Sequence, residues 1–131
     1  AAPDDAAELV KKRSHLMETN EDHFKPYINY MKGRIDFSPS LADEAKAVVA
    51  NAKEIPSLFP PGSTTPKSRA KPEIWQNFDD FQTKAKGLET AAGKLAEISA
   101  KDDKDAIGAQ LRVVGKACDN CHDSYRAPEK D

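Results

Sequence analysis

Cys118-Asp119-Asn120-Cys121-His122, inside a helical stretch running from about Asp103 to Arg126, decides the fold. Two thiols three positions apart, with a histidine directly after the second, form the pattern of c-type haem attachment. Each thiol adds to one porphyrin vinyl group, and the adjoining imidazole is then placed under the iron as proximal ligand. Ile107, Leu111, Val114, Cys118, Cys121 and Tyr125 recur in steps of three and four, one stripe of a helix. Both cysteines therefore belong to the core face, which is where a haem would sit. The motif uses both cysteines of the chain.

Other uses of a Cys-x-x-Cys pair want different surroundings. A thioredoxin-like redox pair wants a βαβ context, and no convincing strand pattern is found. A zinc site wants four ligands from two separated clusters, and there is one cluster. A disulfide between residues three apart on a helix would be strained.

Working outward, three further stretches are helical by period. Val10, Met17, Phe24 and Met31 recur every seven residues, flanked by Leu9, Leu16, Tyr27 and Ile28. Pro26 removes a backbone donor, predicting a kink or break near residues 22–26, and Gly33 ends the helix. A second helix is expected from Ser40, as N-cap, to Glu54, with Leu41, Ala45, Val48, Ala52 and Ile55 on one face. The segment 56–72 holds Pro56, Pro60, Pro61, Gly62, Pro66 and Pro72 and reads as a loop. A third helix opens at Pro72-Glu73 and carries Phe78, Phe81, Ala85, Leu88, Ala92, Leu95 and Ser99 on its seam, with Ile74 and Trp75 on its first turn. The fold class is all-α, an antiparallel four-helix bundle enclosing one covalently attached haem. Ala45, Ala52, Ala85, Ala92 and Ala117 leave the core thin, so the haem-free protein is expected to be loosely packed.

Composition sets the remaining bounds. The 131 residues are one domain's worth, 1–131, with 32% charged and 38% apolar residues. No apolar run approaches the ~20 residues of a membrane span. The net charge of −2 is of mixed sign, which gives no reason to expect nucleic acid as a partner. The start, Ala-Ala-Pro-Asp-Asp, is read as a mature end left by signal cleavage.

The chain resembles the class II c-type cytochromes, the cytochrome c′ family. The resemblance rests on Cys118-Asp119-Asn120-Cys121-His122 followed by Tyr125-Arg126, on Leu58-Phe59-Pro60, and on Lys71-Pro72-Glu73-Ile74-Trp75 with Phe78 and Phe81. Arg13 with Met17 four residues later completes it. The similarity implies a periplasmic monohaem protein, with haem c bound through Cys118 and Cys121 and His122 on the iron. It implies no enzyme; a peroxidase-like role would want acid–base residues on the core face of the first helix, and none is read there.

The family divides on the sixth iron position. Where an apolar residue faces the iron it stays five-coordinate and high-spin, open to nitric oxide or carbon monoxide; where a first-helix methionine binds, a low-spin electron carrier results. Met17 holds that place. The leading expectation is a one-electron carrier with His122 and Met17 as axial ligands. The alternative is a gas-binding cytochrome c′ in which Met17 lines the pocket. Met31, about 21 Å further along the helix, is too distant for the same iron. His15 and His23 are expected on the surface.

The resemblance places Arg13 by the haem propionates, and Ser68 and Arg69 near the haem edge. Arg126, one turn after His122, either shields the imidazole or complements the helix C-terminus. Trp75, Phe78 and Phe81 are core. The outer face of the first helix reads Lys11, Lys12, Glu18, Glu21, Asp22 and Lys25. That face suggests a monomer or weak homodimer whose partners are redox proteins.

Overall fold

The computed structural model describes residues 3–66 and 68–127. Four long helices form an antiparallel bundle: α1 (Pro3–Met31), α2 (Ser40–Glu54), α4 (Phe78–Ile98) and α5 (Lys104–Tyr125). A one-turn α3 (Glu73–Gln76) precedes α4, and a 3-10 turn (Ile55–Leu58) follows α2. The bundle and its four stripes match the periodicity.

The helix ends depart from expectation in places. Helix α1 runs unbroken through Pro26. The missing N–H costs one bond to the carbonyl of Asp22, on an exposed turn that water can satisfy, while buried Tyr27 and Tyr30 anchor the next turn. The expected stop holds. Gly33 takes φ +73°, its N–H reaches the Tyr30 carbonyl, and the Arg34 N–H reaches that of Asn29. This is a Schellman ending, a conformation that favours glycine.

Ser40 is already helical rather than the N-cap, and the Ser38 Oγ accepts its backbone N–H at 3.2 Å. The third helix is split: Asn77, at φ −130° and ψ 49°, closes the turn opened at Pro72 before α4 begins. Asp103 caps α5 by accepting the Ala106 N–H at 3.0 Å.

Packing is uneven around the bundle. Helices α2 and α4 form the closest pair, α5 lies on α4, and α1 lies on α2. Ala45, Ala52, Ala85, Ala91 and Ala92 are buried on α2 and α4, and small side chains at a contact shorten the interaxial distance. Helices α1 and α5 have no comparable backbone contact. Among the described residues they come together at the Met31 end. There the Met31 methyl lies 2.7 Å from where a Cβ on Gly108 would stand, a closeness glycine permits. Beside it the Tyr30 hydroxyl donates to Asp102 at 2.6 Å, and the Lys104 ammonium sits 5.2 Å from the Tyr30 ring centre. Towards the other end the two helices part.

Candidate functional site

The parting of α1 and α5 opens two adjoining cavities of about 470 Å³ each. Both are walled by Met17 and Glu21 of α1, Ile55 of the 3-10 turn, and Cys121, His122 and Arg126 at the end of α5. Volumes of this size are those of ligand pockets. One cavity continues inward over apolar surface, with Phe24, Leu88, Leu111 and Val114 beside Cys118. The other opens outward past Arg13, Ser68 and Arg69. The stripe that put Cys118 and Cys121 on the core face thus delivers them, with His122, to the cleft.

Burial governs the chemistry of these three groups. It pushes the Cys118 thiol up, reinforced by Asp119, and the Cys121 thiol up to about 11. Reactive redox cysteines have lowered values, so this pair lacks the character of a thiol–disulfide couple. Burial, helped by the Arg126 cation, pushes the His122 imidazole down from its ordinary value. A neutral imidazole is the form that ligates metal.

Arg13 is 6% exposed. Its Nη1 donates to the Leu58 carbonyl at 3.2 Å and to the Ser63 hydroxyl at 3.0 Å, and its Nη2 to the Ser68 hydroxyl at 3.5 Å. The guanidinium also lies 4.3 Å from the Phe59 ring centre. Among the described residues no carboxylate pairs with it, and burial alone lowers its pKa. A desolvated cation held by neutral acceptors beside a cavity is suited to an anionic ligand. The donor set, the paired thiols and the buried cation beside the cavity together fit a haem.

The segment holding Ser68 and Arg69 is clasped to the end of α5. Ala70 and Arg126 form an isolated antiparallel bridge. The Lys71 N–H reaches the Tyr125 carbonyl at 2.9 Å, and the Ala127 N–H reaches that of Arg69 at 2.7 Å. Arg69 Nε also donates to the Ala127 carbonyl at 2.9 Å. Tyr125 hydrogen-bonds Asp80 of α4 and stacks edge-on against Phe81. Trp75, expected in the core, is half-buried against it and donates its indole N–H to the carbonyls of Phe59 and Pro60.

Several placements correct the sequence reading. Glu18 and Glu21 border the cleft rather than the outer face, so acidic groups do stand on the pocket side of α1. His23 pairs with Glu44 at 2.7 Å, while His15 is exposed; both border a groove behind α1, away from the cleft. Met31 packs on Gly108. Buried Ser63, which holds Arg13, and Asn20, which lines the inner cavity, were not singled out. Asn20 falls one turn after Met17, and that spacing was a legible signal.

Comparison with known proteins follows the same lines. The sequence profile of the family described as Cytochrome C' matches residues 8–126. A cytochrome c′ of Rhodospirillum rubrum is 32% identical over 124 residues, 94% of this chain and 84% of that protein. A cytochrome c-556 of Agrobacterium tumefaciens (strain II Chrys) is 38% identical over 122 residues, 89% of this chain and 95% of that one. The solved cytochrome c′ from Rhodobacter Spheriodes superposes with a TM-score of 0.83 at 27% identity, covering 95% of this chain and 98% of that chain. That from Shewanella frigidimarina gives 0.83 at 26%, covering 94% and 97%. With its haem motif at the end of the last helix, a cleft beside it and these relatives along nearly its whole length, the chain belongs to the cytochrome c′ family of class II c-type cytochromes and carries a covalently attached haem c.

Proposed function

We propose that this protein works in the periplasm as a one-haem cytochrome of a single domain, residues 1–131. Cys118 and Cys121 hold the group, His122 ligates the iron from α5, and α1 provides the opposite wall of the pocket. The haem, when bound, supplies an iron that changes oxidation state by one electron or takes a small ligand. Arg13, with Ser68 and Arg69, holds the propionates; Arg126 sits over the His122 side.

The observation that carries the reading is the cleft between α1 and α5, with His122 on one wall and Met17 on the other. The relatives named cytochrome c′ favour the five-coordinate reading, a pocket open to nitric oxide or carbon monoxide. The low-spin carrier expected from the sequence is the second reading. It is supported by Met17 bordering both cavities that His122 also borders.

One measurement separates them. The oxidised holoprotein is scanned for the weak far-red band of methionine sulfur on ferric haem, and the reduced protein is titrated with carbon monoxide. A high-spin spectrum with prompt carbon monoxide binding supports the pocket reading. The far-red band, lost in Met17→Ala, overturns it in favour of the carrier.

The surface supports the reading of oligomeric state and partners. No helix among the described residues is long and apolar enough to cross a membrane. A cytochrome c′ 25% identical to this chain undergoes ligand-controlled dimer dissociation. Lys11, Lys12, Asp22 and Lys25 remain exposed on α1, in keeping with a monomer or weak dimer that meets soluble redox partners.

A further inference from the structure

Asn20 is 6% exposed and faces the inner cavity, not the groove on the other side of α1. Its amide is oriented by a short chain of hydrogen bonds whose direction can be worked out. The Thr19 hydroxyl has a single proton, and it goes to the Leu16 carbonyl at 2.7 Å. Thr19 Oγ1 can therefore only accept from Asn51, which must present its amide nitrogen, at 3.1 Å. The same Asn51 nitrogen gives its second hydrogen to Asn20 at 2.8 Å, which requires the Asn20 oxygen on that side. The Asn20 amide nitrogen is left pointing the other way, with no acceptor among the described residues. No fully buried side-chain nitrogen or oxygen in the described residues is unpaired, so this nitrogen reaches open space. The open space Asn20 borders is the cavity.

The chamber sets Phe24, Leu88, Leu111 and Val114 beside the charged Glu21, Lys84, Asp119 and Arg126, and an amide donor facing it without an acceptor is available to a ligand there. Met17 stands one turn away on the same face. We propose that Asn20, held by Asn51 of α2, is a hydrogen-bond donor to small ligands on the α1 side of the haem, and that it favours those carrying negative charge on the outer atom. Asn51 is then a positioning residue, acting through Asn20. The proposal rests on the pocket reading for its use in the native protein. Its test is arranged to stand apart from that reading.

The parent is the Met17→Ala holoprotein, whose pocket is open whether or not Met17 ligates iron. Cyanide affinity of the ferric form, carbon monoxide affinity of the ferrous form and the carbon monoxide stretching frequency are measured with and without Asn20→Leu. Losing a hydrogen bond to a charged ligand is expected to lower cyanide affinity about tenfold. Carbon monoxide affinity should move by less than about threefold, and its stretching frequency should rise as a donor is removed. Asn51→Leu, which frees Asn20 to rotate, should give a smaller change of the same sign, and serves alone where Asn20→Leu fails to fold. Equal losses for the two ligands with an unmoved stretching frequency would overturn the proposal and leave Asn20 a packing residue. A low-spin spectrum of the unaltered protein would sink the pocket reading without touching this result.

Discussion

The two sides of this bundle are built to opposite ends. On the α2–α4 side, buried alanines bring two helices into the closest packing of the bundle. On the α1–α5 side, the helices touch at Met31 and Gly108 and then separate around the cleft that holds Cys118, Cys121 and His122. The contrast teaches that small residues serve two purposes in one core. On α2 and α4 they shorten a helix–helix distance; at Ala117 and Gly115 they widen a cavity wall. A uniform alanine-rich stripe in the sequence thus conceals an asymmetric distribution of volume.

The strongest way to break the contrast is to remove the cofactor. In Cys118→Ser/Cys121→Ser protein, hydrogen exchange should show α1 and α5 losing protection by at least about tenfold more than α2 and α4. Uniform loss would show that the haem supports the whole bundle equally. Next, Ala92→Leu should cost about 1–3 kcal/mol by overpacking the closed side, and Ala117→Leu at the cleft wall less than about 1 kcal/mol, in urea unfolding of the haem-free Cys118→Ser/Cys121→Ser protein, whose cleft is open. Equal costs would mean the two sides are equally tight.

Arg13→Leu should cost about 1–2 kcal/mol, because Ser63 and the Leu58 carbonyl lose a donor in a buried place. The same variant should lower the reduction potential of the haem, since a cation near it favours the reduced form.

The smallest effect is expected at the closed end. The Asp102 hydrogen bond, with burial, raises the Tyr30 phenol from 10.0 to about 12. A folded value above the unfolded one means the contribution is complete below pH 10 and fades as pH rises through 12. Tyr30→Phe should flatten this alkaline limb of the stability curve, and an unchanged limb would assign it to other groups.

Much of this architecture was legible because side-chain period carries it. The heptads of Val10, Met17, Phe24 and Met31, and the stripe from Ile107 to Tyr125, located α1 and α5 and put the thiols inward. What escaped was carried by other means. The clasp between Ala70 and Arg126 uses backbone groups, which leave no mark on residue choice. Asn20 and Asn51 meet across 31 positions, and a lone polar residue on a stripe gives no sign of such a partner. Pro26 is a breaker by local propensity alone, and the anchoring of Tyr27 and Tyr30 overrides it. Glu18 and Glu21 were misplaced because the cleft is wider than a packed seam, so residues flanking the stripe also reach it.

The backbone clasp also bears on assembly order. It fastens the end of α5 to the segment leading into α4, so α2, α4 and α5 form a unit to which α1 is joined through α2 and through the Arg13 bond to Ser68. The first helix is then a door, hung on α2 and shut against α5 at its Met31 end. A chain that must receive a rigid planar group through two covalent bonds gains from a wall that closes last. Pulse-labelled refolding should find α1 amides protected after those of α4 and α5, and the reverse order would mean that the haem enters by some other gap.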